Sequence, residues 1–170
     1  MIEVREEIPE DIEAIRMVNQ NAFGQPQEGQ IVDVLRANAG VLLSLVATLD
    51  GGVIGHILYS PVSIDSGGKK VIGAGLGPMA VLPQYQRQGV GSKLIETGNN
   101  KLLLAGYPFI VVLGHPEYYP RFGFKPASGY GIRCEWDVPD NVFMAMIMDH
   151  LKMEGVSGLA KYRQEFTEGA

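Results

Sequence analysis

The spacing of apolar positions along the chain switches repeatedly between a period of two and a period near 3.6. Residues 2–8, "IEVREEI", alternate apolar and charged, the pattern of a half-buried strand. In "PEDIEAIRMVNQNAF" (9–23), Pro9 opens a helix and acids fill its first turn. Ile12, Ile15 and Val18 or Met17 then recur at helical spacing. "EGQIVDVLRANAG" (28–40) predicts a second helix, with Ile31, Val34 and Leu35 on its inner face and Gly40 as its stop. Two apolar runs within residues 41–64 flank "DGG", a hairpin signal. "SGGKK" (66–70) is a further turn. Residues 71–83, "VIGAGLGPMAVLP", form a third extended run, in which the glycines and Pro78 point to an edge or a bulge.

A helix then opens near Gly89, carries Val90, Leu94, Ile95, Leu102 and Ala105 on one face, and stops at Gly106. "YPFIVVLG" (107–114) is continuously apolar, as a strand buried on both faces must be. "HPEYYPRFGF" (115–124) is a short helical turn that Pro120 limits. "GIRCEWDV" (131–138) and "VFMAMIMD" (142–149), on either side of "PDN", predict a last hairpin. The tail from Gly155 is polar and is left unassigned. No repeat, low-complexity tract or linker interrupts this order, so residues 1–170 are expected to form one α/β domain.

Composition and charge narrow the classes. A chain of 170 residues with 46% hydrophobic and 19% charged positions suits a globular domain with a substantial core. A net charge of −5 argues against a broad nucleic-acid footprint or an anionic membrane surface, although a local site can still hold a small polyanion. Cys134 is the only cysteine, so no internal disulfide forms and a reducing compartment fits. The acidic N-terminus lacks the apolar run of a signal peptide, and no stretch suits a membrane span. The expectation is a cytoplasmic protein, monomeric or homodimeric, with neither nucleic acid nor membrane as partner.

The stretch "VLPQYQRQGVGSKLIE" (81–96) carries the candidate chemistry. It runs from a strand through a basic turn with two glycines into a helix start, where unpaired amides and the helix dipole favour an anion. "GVGSK" is not a phosphate-binding P-loop, because Ser92 precedes Lys93 and no hydroxyl follows it. "GAGLGP" (73–78) is not a dinucleotide fingerprint either: Pro78 stands at the third glycine, and a strand follows. What remains are the amides of Gln86, Arg87, Gln88, Gly89, Val90, Gly91, Ser92 and Lys93, converging on a pyrophosphate with charge from Arg87 and Lys93. The alternative is that Gly89 and Gly91 only make the turn.

Two landmarks then carry a resemblance. Val81, Pro83, Gln86, Gly89 and Gly91 resemble the acetyl-CoA signature of the GNAT superfamily of N-acetyltransferases. Tyr119, Gly123 and Phe124 resemble its second landmark, a Tyr four residues before Gly-Phe, in the family's order. The resemblance covers roughly residues 1–150, and "VVLGHPEYYPRFGF" is further similar to a bacterial branch, the YhbS-like predicted acetyltransferases. It implies a mixed, mostly antiparallel twisted sheet with helices on both faces. Two parallel central strands would splay into a V-shaped gap that takes acetyl-CoA as acyl donor, for transfer to the amine of an unidentified acceptor in a ternary complex.

Within that frame, amides around Met79, Ala80 and Val81 are candidates to bind the thioester carbonyl, and Tyr119 to meet the leaving sulfur, with Phe122 beside the cofactor. Tyr119 can equally be a packed aromatic next to Phe122 and Phe124, with Tyr118 as the alternative hydroxyl. The family often places a glutamate base on the strand before the signature, and this chain has none there. His115 is the best ionisable candidate near the gap, or else an ordinary loop hydrogen-bonder. His56 and His150 receive no role. Trp136, Asp137 and the Met-bearing 142–149 run are expected to be sheet and core. Cys134 is a bystander, and no cluster has metal-ligand spacing. The competing readings are a non-catalytic acyl-CoA sensor and a non-enzymatic interaction domain.

Overall fold

The computed structural model describes residues 1–168. Strand β1 (Ile2–Glu6) leads into helices α1 (Ile12–Phe23) and α2 (Gln27–Ala37). Strands β2 (Leu43–Leu49), β3 (Gly52–Ser66) and β4 (Lys69–Val81) form a meander. Helix α3 (Val90–Leu104) and strand β5 (Phe109–Leu113) follow. The C-terminal part holds β6 (Lys125–Pro126), β7 (Ile132–Cys134), β8 (Phe143–Ile147), β9 (Gly158–Lys161) and the short α4 (Glu165–Glu168). One sheet takes the order β1-β2-β3-β4-β5-β8-β6, with β9 joining β3 to β7. It is antiparallel except for β4 beside β5 and β7 beside β9.

The strand period of two sorts the core onto two faces. Leu45, Ala47, Ile57 and Tyr59 pack with Val90, Leu94, Ile95 and Leu102 of α3. The intervening Val46 and Leu58 pack with Ile15 of α1 and with Val32 and Leu35 of α2. Helices therefore cover both faces. In α1 the choice between Val18 and Met17 falls to Val18, which is buried, while Met17 is 57% exposed. One inner face differs from the spacing-based assignment. In α2 the buried row is Gly29, Val32 and Leu35, while Val34 is 45% exposed. The packing partner, not hydrophobicity alone, decides which row turns inward. Ala105 lies beyond the last residue of α3 and is exposed.

The predicted last hairpin does not form. β7 pairs in parallel with β9, from the tail left unassigned, and β8 inserts between β5 and β6. A tight hairpin wants positive φ at its central residues. Pro139 has φ −56° and leads instead into a 3-10 turn over Asp140–Val142, which separates the two strands. Phe143, Met144 and Ala145 then bury themselves against β5.

The feature that positions the site lies between β4 and β5. They pair in parallel only at Ala74 with Ile110, Gly75 with Val111 and Leu76 with Val112. Immediately beyond, the β3–β4 register jumps from Tyr59 opposite Leu76 to Ile57 opposite Met79, so Gly77 and Pro78 stand against Leu58 alone. This is the expected bulge, at a residue with no N–H to offer a neighbouring strand. β5 ends at Leu113, and the two strands part into a gap.

Candidate active site

One wall of the gap is the end of β4. Leu82 donates its amide to the Ile54 carbonyl at 2.9 Å, and the register continues with Ala80 opposite His56 and Met79 opposite Ile57. Amide direction alternates along an antiparallel strand. Ala80 therefore turns its N–H to β3, while Met79 and Val81 turn theirs toward the gap. Of the three amides singled out from the sequence, two face the gap and Ala80 does not. The Gln86 side chain folds back and donates to the Val81 carbonyl at 3.0 Å.

The facing wall is the turn after β5. The amides of Tyr118 and Tyr119 donate to the His115 carbonyl at 3.1 and 3.4 Å, which winds the chain into a 3-10 turn over Tyr119–Phe122. Tyr119 is 8% exposed and meets Tyr118 and Phe124 edge-on, with centroids at 5.1 and 5.8 Å. A β-carbon on Gly114 would lie 2.4 Å from its ring, so only glycine there leaves Tyr119 its place. Burial, with a smaller push from Tyr118, raises the Tyr119 phenol to about 12. It stays protonated and able to donate. Tyr118 points to α3: its hydroxyl would stand 2.7 Å from a β-carbon on Gly91, and the Arg121 guanidinium stacks 4.5 Å from its ring centre. Gly91 thus leaves room for a neighbour as well as opening backbone.

Between β4 and α3, Arg87 and Gly89 both adopt left-handed backbone, with φ of 62° and 84°. Gly89 caps α3 and no side chain bonds the helix start. The first-turn amides of Val90, Gly91 and Ser92 are those a helix leaves unpaired. Lys93 already donates its amide to Gly89, at 3.1 Å. The rest of the predicted set divides. The Val90 side chain is core. The Lys93 ammonium donates to the Ile2 carbonyl, so its charge leans toward β1 instead of over the loop. The Gln88 side chain holds the Gln84 carbonyl at 3.0 Å. Phe122 packs on Tyr118 and borders a separate depression with Arg121 and Asn99.

The gap opens into a cavity of about 710 Å³. Leu76 to Val81 and Gln86 line one side, and Gly114, His115, Tyr118 and Tyr119 another. Residues that the sequence did not mark complete it: Phe23 from α1, Glu28 and Ile31 from α2, and Trp136, Tyr162 and Phe166. Trp136, expected in sheet or core, is half-buried and stacks at 5.1 Å on Tyr162, which meets Phe166 at 5.4 Å. Among the described residues, Glu28 is the one carboxylate and His115 the one imidazole of the lining, which contains no Lys or Arg. The only advance signal for Tyr162 and Phe166 was aromatic content in an otherwise polar tail.

Other ionisable groups lie apart. His56 is fully buried outside the cavity lining, 2.8 Å from the Ser44 hydroxyl and 3.3 Å from the Asn19 amide nitrogen. Burial pushes it down to about 4. His150 is exposed. Burial raises the Cys134 thiol, and Cys134 does not line the cavity. No group of His, Cys, Asp and Glu among the described residues is arranged to hold a metal ion. No helix among them is long and apolar enough to cross a membrane.

A splayed parallel pair with a buried tyrosine on its cavity, and a glycine-opened helix start after β4, define the acyl-CoA-dependent transferases that the sequence resembles. Comparison with known proteins agrees. The acetyltransferase (GNAT) domain profile matches residues 42–126. The uncharacterised N-acetyltransferase YhbS of Escherichia coli K12 is 35% identical over 164 residues, 96% of this chain and 97% of that protein. YjhQ of the same strain, also an uncharacterised N-acetyltransferase, is 37% identical over 144 residues, 83% of this chain and 80% of its own. The crystal structure of E. coli YhbS in complex with CoA superposes with a TM-score of 0.91 at 35% identity, covering 98% of this chain and 92% of that one. A GNAT family acetyltransferase from Brucella melitensis in complex with acetyl-CoA gives 0.81 at 38% identity, covering 98% of each. The chain belongs to the GNAT family of N-acetyltransferases.

Proposed function

We propose that the protein transfers the acetyl group of acetyl-CoA to a primary amine by direct attack within a ternary complex. The observation that carries this reading is the convergence on one cavity of the Met79 and Val81 amides, the Tyr119 phenol and the His115 imidazole. The relatives with bound CoA and acetyl-CoA support the choice of donor.

The chain's groups divide the work as follows. The pyrophosphate rests on the loop from Gln86 to Gly91 and on the first-turn amides of α3, where the helix dipole favours an anion. The left-handed residues there build the kind of amide concavity that holds phosphate. The thioester carbonyl accepts from Met79 or from Val81, whose amides stand two residues apart along β4 and too far apart to share one oxygen, and one such donor is worth about 3 kcal/mol as the oxyanion forms. The amine nitrogen attacks, the C–N bond forms, and the C–S bond breaks. The amine proton passes to His115, directly or through water, and the departing sulfur takes its hydrogen bond from Tyr119. Products are the N-acetyl amine and CoA.

The test has two readings. Calorimetry with acetyl-CoA measures donor binding, and thiol release with a panel of primary amines measures transfer. Saturable binding is expected, with amine-dependent CoA release. His115→Gln should slow that release while leaving acetyl-CoA affinity unchanged, compared with wild type at one pH and with one acceptor, since the acceptor amine carries its own pH dependence. Binding without release under any amine would leave a sensor of acyl-CoA in place of an enzyme.

A further inference from the structure

The cavity is larger than an acetyl group needs, and part of its wall is aromatic. Phe23, Trp136, Tyr162 and Phe166 line it, and Glu28 is its only carboxylate among the described residues. Gln25 donates its side-chain amide to both Glu28 oxygens at 2.9 Å. The carboxylate is therefore held in position, yet it retains acceptor capacity, since an ionised carboxylate takes up to about four hydrogen bonds. No Lys or Arg lines the cavity to neutralise it. Aromatic walls with a lone carboxylate attract ammonium ions, by ring quadrupole and by charge. They repel carboxylates. The same wall has apolar surface to cover the body of a small ligand.

The geometry points to an acceptor that is a small cationic amine with an apolar body, drawn in by Glu28 and the aromatic wall of Phe23, Trp136, Tyr162 and Phe166. This rests on the acetyltransferase reading and adds the class of acceptor to it. An alkyl ammonium has a pKa near 10.4, so only about one molecule in 2,500 is neutral at pH 7. A cavity that collects the cation collects the species that exists in solution, and deprotonation follows at the gap. Amino acids, acidic peptides and other carboxylate-bearing amines are disfavoured by the same field. The acid comes from α2, not from β4, so it serves docking instead of replacing the absent glutamate of the signature strand.

Trp136 is the only tryptophan in the chain, so its fluorescence reports occupancy of this wall without any turnover. Three ligands with one phenyl ring separate charge from shape: phenethylamine, phenylalanine and 3-phenylpropionate. Each is titrated into the free and the CoA-saturated protein, wild type and Glu28→Gln. Phenethylamine should bind at least about tenfold more tightly than 3-phenylpropionate, the scale of a partly desolvated ammonium against aromatic rings and a carboxylate, with phenylalanine between them. In Glu28→Gln that preference should shrink to about twofold, while CoA affinity by calorimetry stays unchanged. Equal binding of amine and acid to the wild type overturns the proposal. So does a preference that survives in Glu28→Gln, or no response to phenethylamine at all. Failure to bind CoA, measured separately, counts against the acetyltransferase reading, because the fluorescence titration of the free protein does not depend on it.

Discussion

In the proposed mechanism Tyr119 donates from a phenol held at about 12 by burial. Against an ordinary thiol near 8.5, full proton transfer to the leaving thiolate is uphill by about 5 kcal/mol. A hydrogen bond that strengthens as charge develops on sulfur is the stronger assignment, and it acts in the transition state more than in the bound complex. Tyr119→Phe should therefore lower kcat about 10²-fold with little change in acetyl-CoA affinity, checked by steady-state kinetics beside calorimetry. Wild-type turnover in that variant would transfer the role to Tyr118. Tyr119 was legible as a candidate because its spacing from Gly123 and Phe124 is local. Glu28 and Trp136 were not legible as cavity residues. One opened a predicted helix with no role of its own and the other read as sheet and core, and nothing within ten residues of either says that they share a wall.

At the scale of elements, the β4–loop–α3 unit concentrates the proposed binding surface. Its loop depends on Gly89, whose φ of 84° lies where L side chains are strained and where a β-branched one is poorly tolerated. Gly89→Val should shift the helix start, turn the first-turn amides away from their common focus, and weaken acetyl-CoA at least about tenfold. Calorimetry measures the affinity, and the far-ultraviolet dichroism should remain native. A left-handed residue costs of order 1–2 kcal/mol, which a core of this size can bear. Unchanged affinity would remove the loop from the phosphate site. Replacing Gly91 is a less clean probe, because its side chain would also meet the Tyr118 hydroxyl. The bulge at Gly77 and Pro78 and the capping glycine were visible in the sequence, since both are responses of the local backbone. The pairing of β7 with β9 was not, because two strands separated by more than twenty residues compete for edges that only the assembled sheet defines.

At the scale of the whole molecule, a buried polar network ties β1, β2, β3 and the first two helices together. His56 bonds Ser44 and approaches Asn19. Ser44 donates to Glu7, and Arg36 holds Glu7 in a bidentate pair. Burial alone would raise Glu7, but the bonds from Arg36 and Ser44 outweigh it and hold its carboxyl below the usual range. His56 has the opposite charge type, and its folded value, about 4, lies below its ordinary 6.5. Between those values the unfolded chain binds the proton and the native one does not, so stability is lost as pH falls through that window. From pH 7 to pH 5 the loss amounts to about 2 kcal/mol. Glu7, Asp11 and Glu165 all have lowered values, and their unfolded forms have only begun to protonate at pH 5, so together they add no more than a few tenths of a kcal/mol, roughly, in the same direction. Urea unfolding at both pH values should show the loss in wild type and a flatter dependence in His56→Gln, from a lower starting stability. An equal slope in the variant would place the effect elsewhere.

The sequence by itself determined the elements up to β5, the bulge, the glycine-opened helix start, the tyrosine landmark and, through these, the family. Each depends on contacts within a few residues: a period, a missing side chain, a proline without an N–H. Tertiary structure decided the rest. It chose which row of α2 turns inward, sent the Lys93 ammonium to β1, turned the Ala80 amide away from the gap and joined β7 to the tail. It also gathered Glu28, Trp136, Tyr162 and Phe166, from three distant parts of the chain, around one cavity. Local pattern specifies which positions must be buried or bent. Which distant positions meet depends on packing of the assembled sheet, and the acceptor's wall is built wholly from such meetings.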